Sequence, residues 1–169
     1  MSGEAHPKLA LRPMLPDDAP LVVEIFRASV TELTGEEYTE AQQDAWAAAA
    51  DDEDGFVGKL TKQLTLVATL GGSPIGFISL EGKDKIDMLY IYPATAGQGA
   101  GRTLADAIEK LAAARGADKL IVDASDNARG FFENRGYVAQ QRNSVTLNGE
   151  WFANTTMHKP LGGGEKREA

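Results

Sequence analysis

The amino-acid sequence predicts an α/β (α+β) fold in which flanking helices cover one mixed, mostly antiparallel central sheet. First, helical and strand periodicities alternate along the chain in the order β-ααα-βββ-α-β-α-ββ. Second, the three central strands are separated by turns too short for parallel crossovers, so these strands should form an antiparallel meander. Third, a glycine-rich loop and a helix connect the meander to the next strand, which is typical of a crossover in a mixed sheet.

One strand and three helices are expected before residue 63. Pro16 and the two aspartates after it mark a helix start, because acids in the first turn suit the positive end of the helix dipole. Thr39 and Gln42 have the spacing of a capping box and precede an alanine-rich run that favours a helix. The predicted elements are a strand at 9–12 and helices at 16–34, 39–50 and 52–61.

The rest of the chain is predicted to supply six strands and two helices. Asn148-Gly149, between two strand-like runs, is a strong hairpin signal, and Gly116 and Gly136 are placed to stop helices. The predicted strands are 63–70, 75–80, 85–92, 119–124, 137–147 and 151–158, and the helices follow the glycine-rich loop to Gly116 and span 128–135. In the first of these helices the expected buried stripe is Leu104, Ala107, Ile108, Leu111 and Ala112.

A chain of 169 residues has the length of one ordinary domain. The sequence contains no internal repeat and no domain boundary that its composition would reveal. We therefore expect a single domain at 8–161, with flexible tails at 1–7 and 162–169. The second tail is a run of glycines followed by charged residues, a composition that cannot pack.

The composition excludes several classes of function. Seventeen basic and 25 acidic residues give a net charge of −8, which argues against nucleic acids and anionic membranes as partners. The chain has no cysteine and only two histidines, His6 and His158, so a thiolate site, a Ser-His-Asp triad and a histidine-rich metal site are not expected. The chain lacks a long apolar run and the layout of a signal peptide, so a cytoplasmic location is expected.

The acidic charge is concentrated in one segment. Between Arg27 and Lys59 there are nine Asp and Glu residues and no Lys or Arg, whereas the rest of the chain has a net charge of +1. One interpretation is a solvated helical surface, and the other is a wall that attracts a cationic ligand.

The glycine-rich loop predicts a site for a phosphate group. Gly97, Gly99 and Gly101 lie where a strand ends and a helix begins, so free backbone amides and the helix dipole can face an anion there. A dinucleotide fingerprint would need a third glycine where Arg102 stands, and the P-loop pattern is absent. The two common phosphate motifs are therefore excluded.

Two segments around this loop resemble the GNAT superfamily of N-acetyltransferases. The run 89–93, followed by Gly97 to Arg102 and an apolar helix, resembles the acetyl-CoA-binding segment of the family, with the pattern Q/R-x-x-G-x-G/A. Its glycines match Gly99 and Gly101, and its first position falls on Ala96 instead of Gln or Arg. The stretch 127–137 is similar to the family's N-x-x-A-x-x-F-Y-x-x-x-G-F/Y segment, with shortened spacing.

The resemblance implies a GNAT-like fold and direct transfer of an acetyl group from acetyl-CoA to an amine. Acetyl-CoA, or coenzyme A after transfer, is the implied co-substrate, and no metal is implied. Main-chain groups of Leu89 and Ile91 would hold the acetyl-pantetheine end, and the loop amides would hold the pyrophosphate. The implied cofactor-binding residues are Met88, Leu89, Tyr90, Ile91, Ala96, Gly97, Gln98, Gly99, Ala100, Gly101, Arg102, Thr103, Asn127, Phe131 and Phe132.

Two residues are candidates for proton transfer. An alkylammonium cannot attack a thioester before it loses a proton, so a base is required. Asp87 is the candidate base, and strand alternation predicts that it shares a face with Leu89 and Ile91. The family's acid is a tyrosine, but Phe132 stands at that position, so Tyr137 is the replacement candidate and the hydroxyl of Tyr90 is an alternative.

The implied acceptor is a small-molecule or peptide amine, and a cation such as a polyamine, an amino sugar or a basic peptide end would suit the acidic segment. The alternative function is a non-catalytic acyl-CoA-binding or sensing module, which Phe132 and Ala96 favour. A third possible function is a toxin that acts on aminoacyl-tRNA, but such a protein would need a basic face, and the acidic segment argues against one. Trp46 and Trp151 are interpreted as packing residues, with lining of the acceptor pocket as the alternative, and the oligomeric state is expected to be monomer or homodimer.

Overall fold

The computed structural model describes residues 8–162, which form a seven-stranded sheet in the order β1-β2-β3-β4-β5-β7-β6. The strands are β1 Leu9–Pro13, β2 Leu64–Leu70, β3 Ser73–Glu81, β4 Lys85–Ile91, β5 Lys119–Ser125, β6 Val138–Leu147 and β7 Glu150–Pro160. The helices are α1 Ala19–Leu33, α2 Glu40–Ala47, α3 Glu53–Lys62, α4 Ala100–Ala114 and α5 Arg129–Asn134. The predicted fold class and element order are confirmed, while the predicted tails, apart from Gly162, lie outside the described residues.

Local sequence signals account for several element boundaries. The capping box at the start of α2 is present, because the Thr39 hydroxyl accepts from the Gln42 amide and the Gln42 side chain accepts from the Thr39 amide. The Asp52 carboxylate caps α3 by accepting from the amide of Gly55. Asn148 and Gly149 both have positive φ, 48° and 88°, as a two-residue hairpin between β6 and β7 requires.

The sheet is antiparallel except at its centre, where β4 runs parallel to β5. That parallel pairing is confined to Lys85 with Ile121 and Ile86 with Val122. Beyond Ile86 the two strands diverge, so the edge of β4 that faces β5 is left open from Asp87 onward. This divergence opens a cleft in the middle of the sheet.

Helices cover both faces of the sheet. On one face α4 and α5 pack over a core that includes Leu104, Ile108 and Phe132. On the other face α1 and α3 pack over a core that includes Phe26 and Leu60. At 15 residues each, α1 and α4 are the longest helices that the structure describes, and no helix in residues 8–162 is long and apolar enough to span a membrane.

The predicted buried stripe of α4 is correct at its centre and wrong at one margin. Leu104, Ile108 and Ala112 are fully buried, but Leu111 is 36% exposed and Ala105 is buried in its place. The fully buried residues Leu104, Ile108 and Ala112 are four positions apart and face the sheet. Leu111 lies at the edge of this buried face, where the sheet no longer covers it.

Candidate active site

A cavity of about 750 Å³ lies in the opening between β4 and β5, at the N-terminus of α4. We call it the glycine-loop cleft. Ten of the fifteen predicted cofactor-binding residues line it, namely Leu89, Ile91, Ala96, Gly97, Gly99, Ala100, Gly101, Arg102, Asn127 and Phe131. The structure therefore brings most of the predicted set to one place.

The glycines of the loop have two different roles in its geometry. Gly97 and Gly99 have φ angles of 87° and 91°, a left-handed conformation that strains any residue with a Cβ. Gly99 is the N-cap of α4, so this backbone turn points the start of the helix at the cleft. Gly101 lies inside the helix without positive φ, and a Cβ there would make ordinary contact with Phe131 at 3.5 Å.

Three amides at the start of α4 remain available to a ligand. The amides of Gln98 and Thr103 are engaged, since they donate to the carbonyls of Thr95 and Gly99. The amides of residues 100–102 belong to the first turn and have no acceptor within the helix, and no partner for them is found in residues 8–162. Free amides at the positive end of a helix dipole form a site for a phosphate group.

The backbone of β4 also faces the cleft. The Tyr92 amide donates to the Ile75 carbonyl, so Tyr92 directs its amide toward β3. Because successive residues of a strand direct their amides and carbonyls to opposite edges, Tyr90 shares that direction, whereas Leu89 and Ile91 point toward the diverged β5. Leu89 and Ile91 thus direct main-chain groups toward the glycine-loop cleft, where the β5-facing edge of β4 has no strand partner in the described part of the sheet.

Three of the predicted cofactor-binding side chains lie elsewhere. Met88 packs on the opposite face of β4, against the core beneath α1 and α3. The Gln98 side chain is exposed, and the Thr103 hydroxyl donates to the carbonyl of Gly99, where it stabilises the first turn of α4. These residues shape the loop and strand through their backbone rather than through their side chains.

A narrower cavity of about 110 Å³, which we call the throat, adjoins the cleft and shares Leu89, Asn127 and Ala128 with it. The two remaining predicted cofactor-binding residues, Tyr90 and Phe132, line the throat, together with Asp87, Asp123 and Ser125. Phe132 is only 2% exposed. It therefore presents an apolar ring where a tyrosine would have presented a hydroxyl.

Asp87 reaches the throat by a route that strand alternation does not predict. The β3–β4 register pairs Leu80 with Ile86 and Ser79 with Met88, so Asp87 is the extra residue of a bulge. Its carboxylate turns toward α3 rather than sharing the face of Leu89 and Ile91. The predicted face was therefore wrong, because a bulge interrupts the two-residue period.

The Asp87 carboxylate is held from one side. Its Oδ2 atom accepts a hydrogen bond from Gln63 Nε2 at 3.0 Å and forms an ion pair with Lys59 Nζ at 3.2 Å. The Asp87 side chain is 18% exposed. Since both contacts converge on Oδ2, and Oδ1 has no partner among residues 8–162, Oδ1 is the oxygen available to a ligand in the throat.

Tyr90 presents a protonated hydroxyl to the same cavity. Its oxygen accepts a hydrogen bond from Trp46 Nε1 at 3.1 Å, and its ring packs edge-on against Phe26. Burial raises the pKa of Tyr90 far above its ordinary value, and the negative charge of Asp87 acts in the same direction. Its phenol therefore keeps its proton at neutral pH and can donate it.

Tyr137, the predicted replacement acid, belongs to the core instead. It is 2% exposed, and its hydroxyl donates to Glu109 Oε2 at 3.0 Å while its ring packs against Phe132. Burial, and then the charge of Glu109, raises the pKa of Tyr137 well above its ordinary value. The structure does not bring Tyr137 to the throat, because the chain after Gly136 turns this ring beneath α4.

Ser29, Thr34 and Trp46 of the acidic segment line the throat, but none of the nine acids of this segment does. All nine of its carboxylates lie on exposed residues, and among them Asp52 lines a cavity next to Asp87. The carboxylates that line the throat come from the strands instead, from Asp87 and Asp123. Among residues 8–162, no group of three or more His, Cys, Asp or Glu side chains could hold a metal ion.

Sequence reasoning missed Asp123 and two aromatic residues near the throat. Asp123 lies between the buried residues Val122 and Ala124 of β5, and a charged residue within an apolar strand is a signal that could have been used. Tyr38 and Phe152 meet only in the folded chain, so their spacing in the sequence carries no such signal.

The two tryptophans, both interpreted from the sequence as packing residues, differ in position. Trp46 lines the throat, whereas Trp151 is 67% exposed.

Basic side chains border the cleft opposite the loop. Arg135 and Lys159 line it, and both are paired with Glu109 of α4, at 3.0 Å and 2.9 Å. Arg135 also pairs with Asp106 and lies 5.9 Å from the centre of the Phe131 ring. Arg102, in the first turn of α4, is exposed. The rim of the cleft thus carries three basic side chains, of which Arg135 and Lys159 are paired with acidic residues.

Comparisons with known proteins agree with this geometry. The family model described as an acetyltransferase (GNAT) domain matches residues 32–161. An uncharacterised N-acetyltransferase of Escherichia coli strain K12, YafP, is 33% identical over 153 residues, which cover 90% of this chain and 97% of that protein. A crystal structure of a GCN5-related N-acetyltransferase from Rhodopseudomonas palustris has a TM-score of 0.90 and 58% identity, covering 95% of this chain and all of that one.

A more distant structure shares the fold. The PaiA N-acetyltransferase of Thermoplasma acidophilum, solved in complex with coenzyme A, has a TM-score of 0.77 at 18% identity. The match covers 91% of this chain and 99% of that one. At this identity the likeness concerns the fold alone.

Proposed function

The chain belongs to the GNAT superfamily of N-acetyltransferases, and from that premise we propose that this acyltransferase moves an acetyl group from acetyl-CoA directly to a primary amine that arrives as a cation. The observation that carries the proposal is the throat. It adjoins the glycine-loop cleft, which has a phosphate-type site at the start of α4, and Asp87 is among its own lining residues.

The residues of the glycine-loop cleft fit coenzyme A. The free amides of residues 100–102 suit the pyrophosphate, and the open main-chain groups of Leu89 and Ile91 suit the amides of the pantetheine arm. Asn127 lies where the cleft meets the throat and would contact the same arm. The basic side chains of Arg102, Arg135 and Lys159 would face the remaining phosphate charge.

Asp87 is proposed as the base. Bound acetyl-CoA supplies an acetyl group, which an amine nitrogen takes up with release of the free thiol and of the proton that the ammonium carried. The Oδ1 atom of Asp87 is available to accept that proton, directly or through a water molecule. Gln63 and Lys59 hold the carboxylate in position by way of Oδ2, so its orientation does not depend on the ligand.

Tyr90 is proposed as the acid. Its hydroxyl accepts from Trp46, which leaves its own proton free to be donated toward a leaving sulfur. A thiol leaves readily, since its pKa is about 8.5 by analogy with cysteine, so a weak acid is sufficient. This assignment explains how the site can function with Phe132 at the family's tyrosine position.

The acceptor is proposed to bind as a cation because the Oδ1 atom of Asp87 is available in the throat. Asp123 also lines the throat, but its carboxylate is paired with Lys85 and accepts from the Thr156 hydroxyl. In this proposal a carboxylate of the throat attracts the cationic acceptor, in place of the acidic segment that the sequence suggested for that role. An amine that is neutral at pH 7 should therefore have a lower kcat/KM than an alkylammonium of equal size. The cytoplasmic location and the monomeric or homodimeric state remain predictions.

The test is thiol release from acetyl-CoA with a panel of primary amines, for the wild type and for Asp87→Asn. We expect the variant to lose about 10²- to 10⁴-fold in kcat, the range typical of a general base. Its affinity for coenzyme A, measured by calorimetry, should not change, because Asp87 lies in the throat and not beside the glycine loop.

Asp84→Asn is the matched control, since it removes the same charge from the turn just before β4. It should retain the wild-type kcat. Equal rates for the wild type and Asp87→Asn would contradict the role of Asp87. Binding of coenzyme A without turnover of any amine would contradict the proposed transfer and favour a non-catalytic acyl-CoA-binding module.

A further inference from the structure

A third cavity lies on the far side of the throat, away from the glycine-loop cleft. It has a volume of about 190 Å³. Most of its wall consists of the rings of Tyr38, Trp46, Tyr90 and Phe152 and the aliphatic residues Val145, Leu147 and Ala153. The polar residues Asp123, Ser125 and Asn154 complete the wall. We call this cavity the aromatic pocket. Its rings come from four separate parts of the chain, namely the loop before α2, α2 itself, β4 and β7.

The rings of the aromatic pocket are fixed by their contacts with one another. Tyr38 packs edge-on against Trp46 with ring centres 5.4 Å apart, and Trp46 packs edge-on against Phe152 at 6.1 Å. Tyr38 and Phe152 are 5.7 Å apart. Such mutual packing preorganises a cavity, so a ligand would not have to order these side chains.

The polar atoms of Tyr38 and Trp46 are already engaged, whereas the Tyr90 hydroxyl still has its proton to donate. The Tyr38 hydroxyl donates to the Ala153 carbonyl at 3.0 Å and accepts from the Asp126 amide at 2.9 Å. The Trp46 Nε1 group donates to the Tyr90 hydroxyl. The rings and aliphatic side chains therefore present an apolar surface to a ligand, while Asp123, Ser125 and Asn154 form the polar part of the lining.

The polar side of the aromatic pocket is its junction with the throat. The two cavities share Trp46, Tyr90, Asp123 and Ser125. A molecule whose ammonium lies in the throat, beside Asp87 and Asp123, would therefore extend its carbon skeleton into the pocket. A polyamine or an amino sugar would have to place its second cation or its hydroxyls against these rings and aliphatic side chains, which is costly wherever Asp123, Ser125 and Asn154 cannot reach them.

We propose that the aromatic pocket binds the apolar part of the acceptor, so that the preferred substrates are primary amines attached to an aryl or compact alkyl group. This inference rests on the proposed function and specifies its substrate class. It differs from the sequence-based expectation of a polyamine, an amino sugar or a basic peptide end.

The first test is binding without turnover, read from tryptophan fluorescence. The chain has two tryptophans, and Trp151→Phe removes the exposed one and leaves Trp46 as the only reporter. Without acetyl-CoA, 2-phenylethylamine should change the emission of Trp46 in a saturable way, and 1,4-diaminobutane should not. Equal responses to both amines, or no response to either, would overturn the proposal.

A variant that fills the pocket links the response to this site. Val145→Phe, made in the Trp151→Phe background, adds a ring at a pocket wall and should abolish the response to 2-phenylethylamine while calorimetric affinity for coenzyme A is kept. A response that persists in this variant would overturn the location. If the variant does not fold, the responses of the Trp151→Phe protein to the two amines still test whether the aromatic pocket binds an apolar group.

The second test is a kinetic series of unbranched primary amines from ethylamine to hexylamine. Burial of each methylene should raise kcat/KM by about threefold to fourfold until the pocket is filled. A Trp46 response with no turnover of any amine would overturn the proposed function. Turnover that is highest for polyamines, with no Trp46 response, would overturn the role of the pocket and leave the proposed transfer intact.

Discussion

The buried carboxylate of Asp18 connects β1 to the start of α1. It is 4% exposed, accepts two hydrogen bonds from the Arg12 guanidinium at 2.7 Å and 2.8 Å, and accepts a third from the Leu15 amide. The hydrogen bonds from Arg12 hold the pKa of Asp18 below its ordinary value. A lowered pKa in the folded state means that the ionised carboxylate stabilises the fold.

Asp18→Asn should therefore lower the free energy of unfolding at pH 7 by about 2 kcal/mol, because it removes hydrogen bonds to a charged group. In the wild type this contribution is fully present above the unfolded-state pKa of about 3.9 and is lost as the pH falls through the lower folded-state value. Urea unfolding at pH 7 and at pH 3 measures both. As a control, Asp17→Asn at the exposed neighbouring position should change the free energy of unfolding by less than about 0.5 kcal/mol. An equal loss in both variants would contradict the role of the ion pair between Arg12 and Asp18.

Tyr90 offers a second prediction for a single residue. Tyr90→Phe keeps the ring contacts with Phe26 and Phe77 but removes the proposed acid. We expect kcat to fall by about tenfold to 100-fold. This loss is at or below the lower end of the range typical of general acid catalysis, because a thiol is a good leaving group. Tyr92→Phe, two residues further along and packed on the same core, should leave kcat unchanged. Steady-state thiol release measures both, and an unchanged kcat in Tyr90→Phe would exclude it as the acid.

Single residues also show where sequence reasoning succeeds and where it fails. The role of the loop glycines could be predicted because it depends on backbone conformation and helix ends, which are local properties. The orientation of Asp87 could not, because the bulge arises from the pairing of β4 with β3. The burial of Tyr137 depends on α4 lying above it, and that contact joins residues 28 positions apart.

At the scale of elements, the glycine loop and α4 act as one unit. Gly99→Ala would put a Cβ on a backbone with φ of 91°, at a cost of about 1–2 kcal/mol in the free energy of unfolding. No atom lies within 4 Å of that Cβ, so the cost is one of backbone conformation, not of a clash. Because relief of the strain moves the free amides of residues 100–102, affinity for coenzyme A should fall as well.

Gly101→Ala is the matched control for this prediction. Gly101 has ordinary helical φ, and alanine there should stabilise α4 by up to about 1 kcal/mol. The family pattern that the loop resembles accepts alanine at this position, so affinity for coenzyme A should be retained. Thermal unfolding and calorimetry compare the two variants, and a loss of affinity in Gly101→Ala but not in Gly99→Ala would contradict this account of the loop.

At the scale of the whole molecule, acidic and basic side chains lie on different surfaces. The nine acids between Arg27 and Lys59 lie on the outside of the helical layer, and the basic residues Arg102, Arg135 and Lys159 line the cleft. The net charge of −8 therefore does not describe the surface that an anionic cofactor meets. An acidic exterior keeps the protein away from polyanions, while the cleft places basic side chains and free helix amides where an anionic cofactor would lie.

The sheet consists of two halves that are joined through a short parallel contact. Strands β1–β4 form one half and β5–β7 the other, and they pair only at Lys85 and Ile86 in the described part of the sheet. The predicted ligand touches both halves, at the glycine loop and at Asn127. Because it should bind the folded chain and not the unfolded one, coenzyme A at 100 times its dissociation constant should raise the free energy of unfolding by about 2.7 kcal/mol, and Tm by about 5–10 °C.

Hydrogen exchange shows whether this stabilisation bridges the two halves. Bound coenzyme A should slow amide exchange both at 97–103, on the first half, and at 125–131, on the second, because the ligand lies between them. The hairpin tip at 147–150, outside the cleft, serves as an internal reference and should exchange at the same rate with and without ligand. Protection limited to 97–103, with 125–131 unchanged, would mean that the cofactor is held by the loop alone and that the divergence of β4 from β5 has no part in binding.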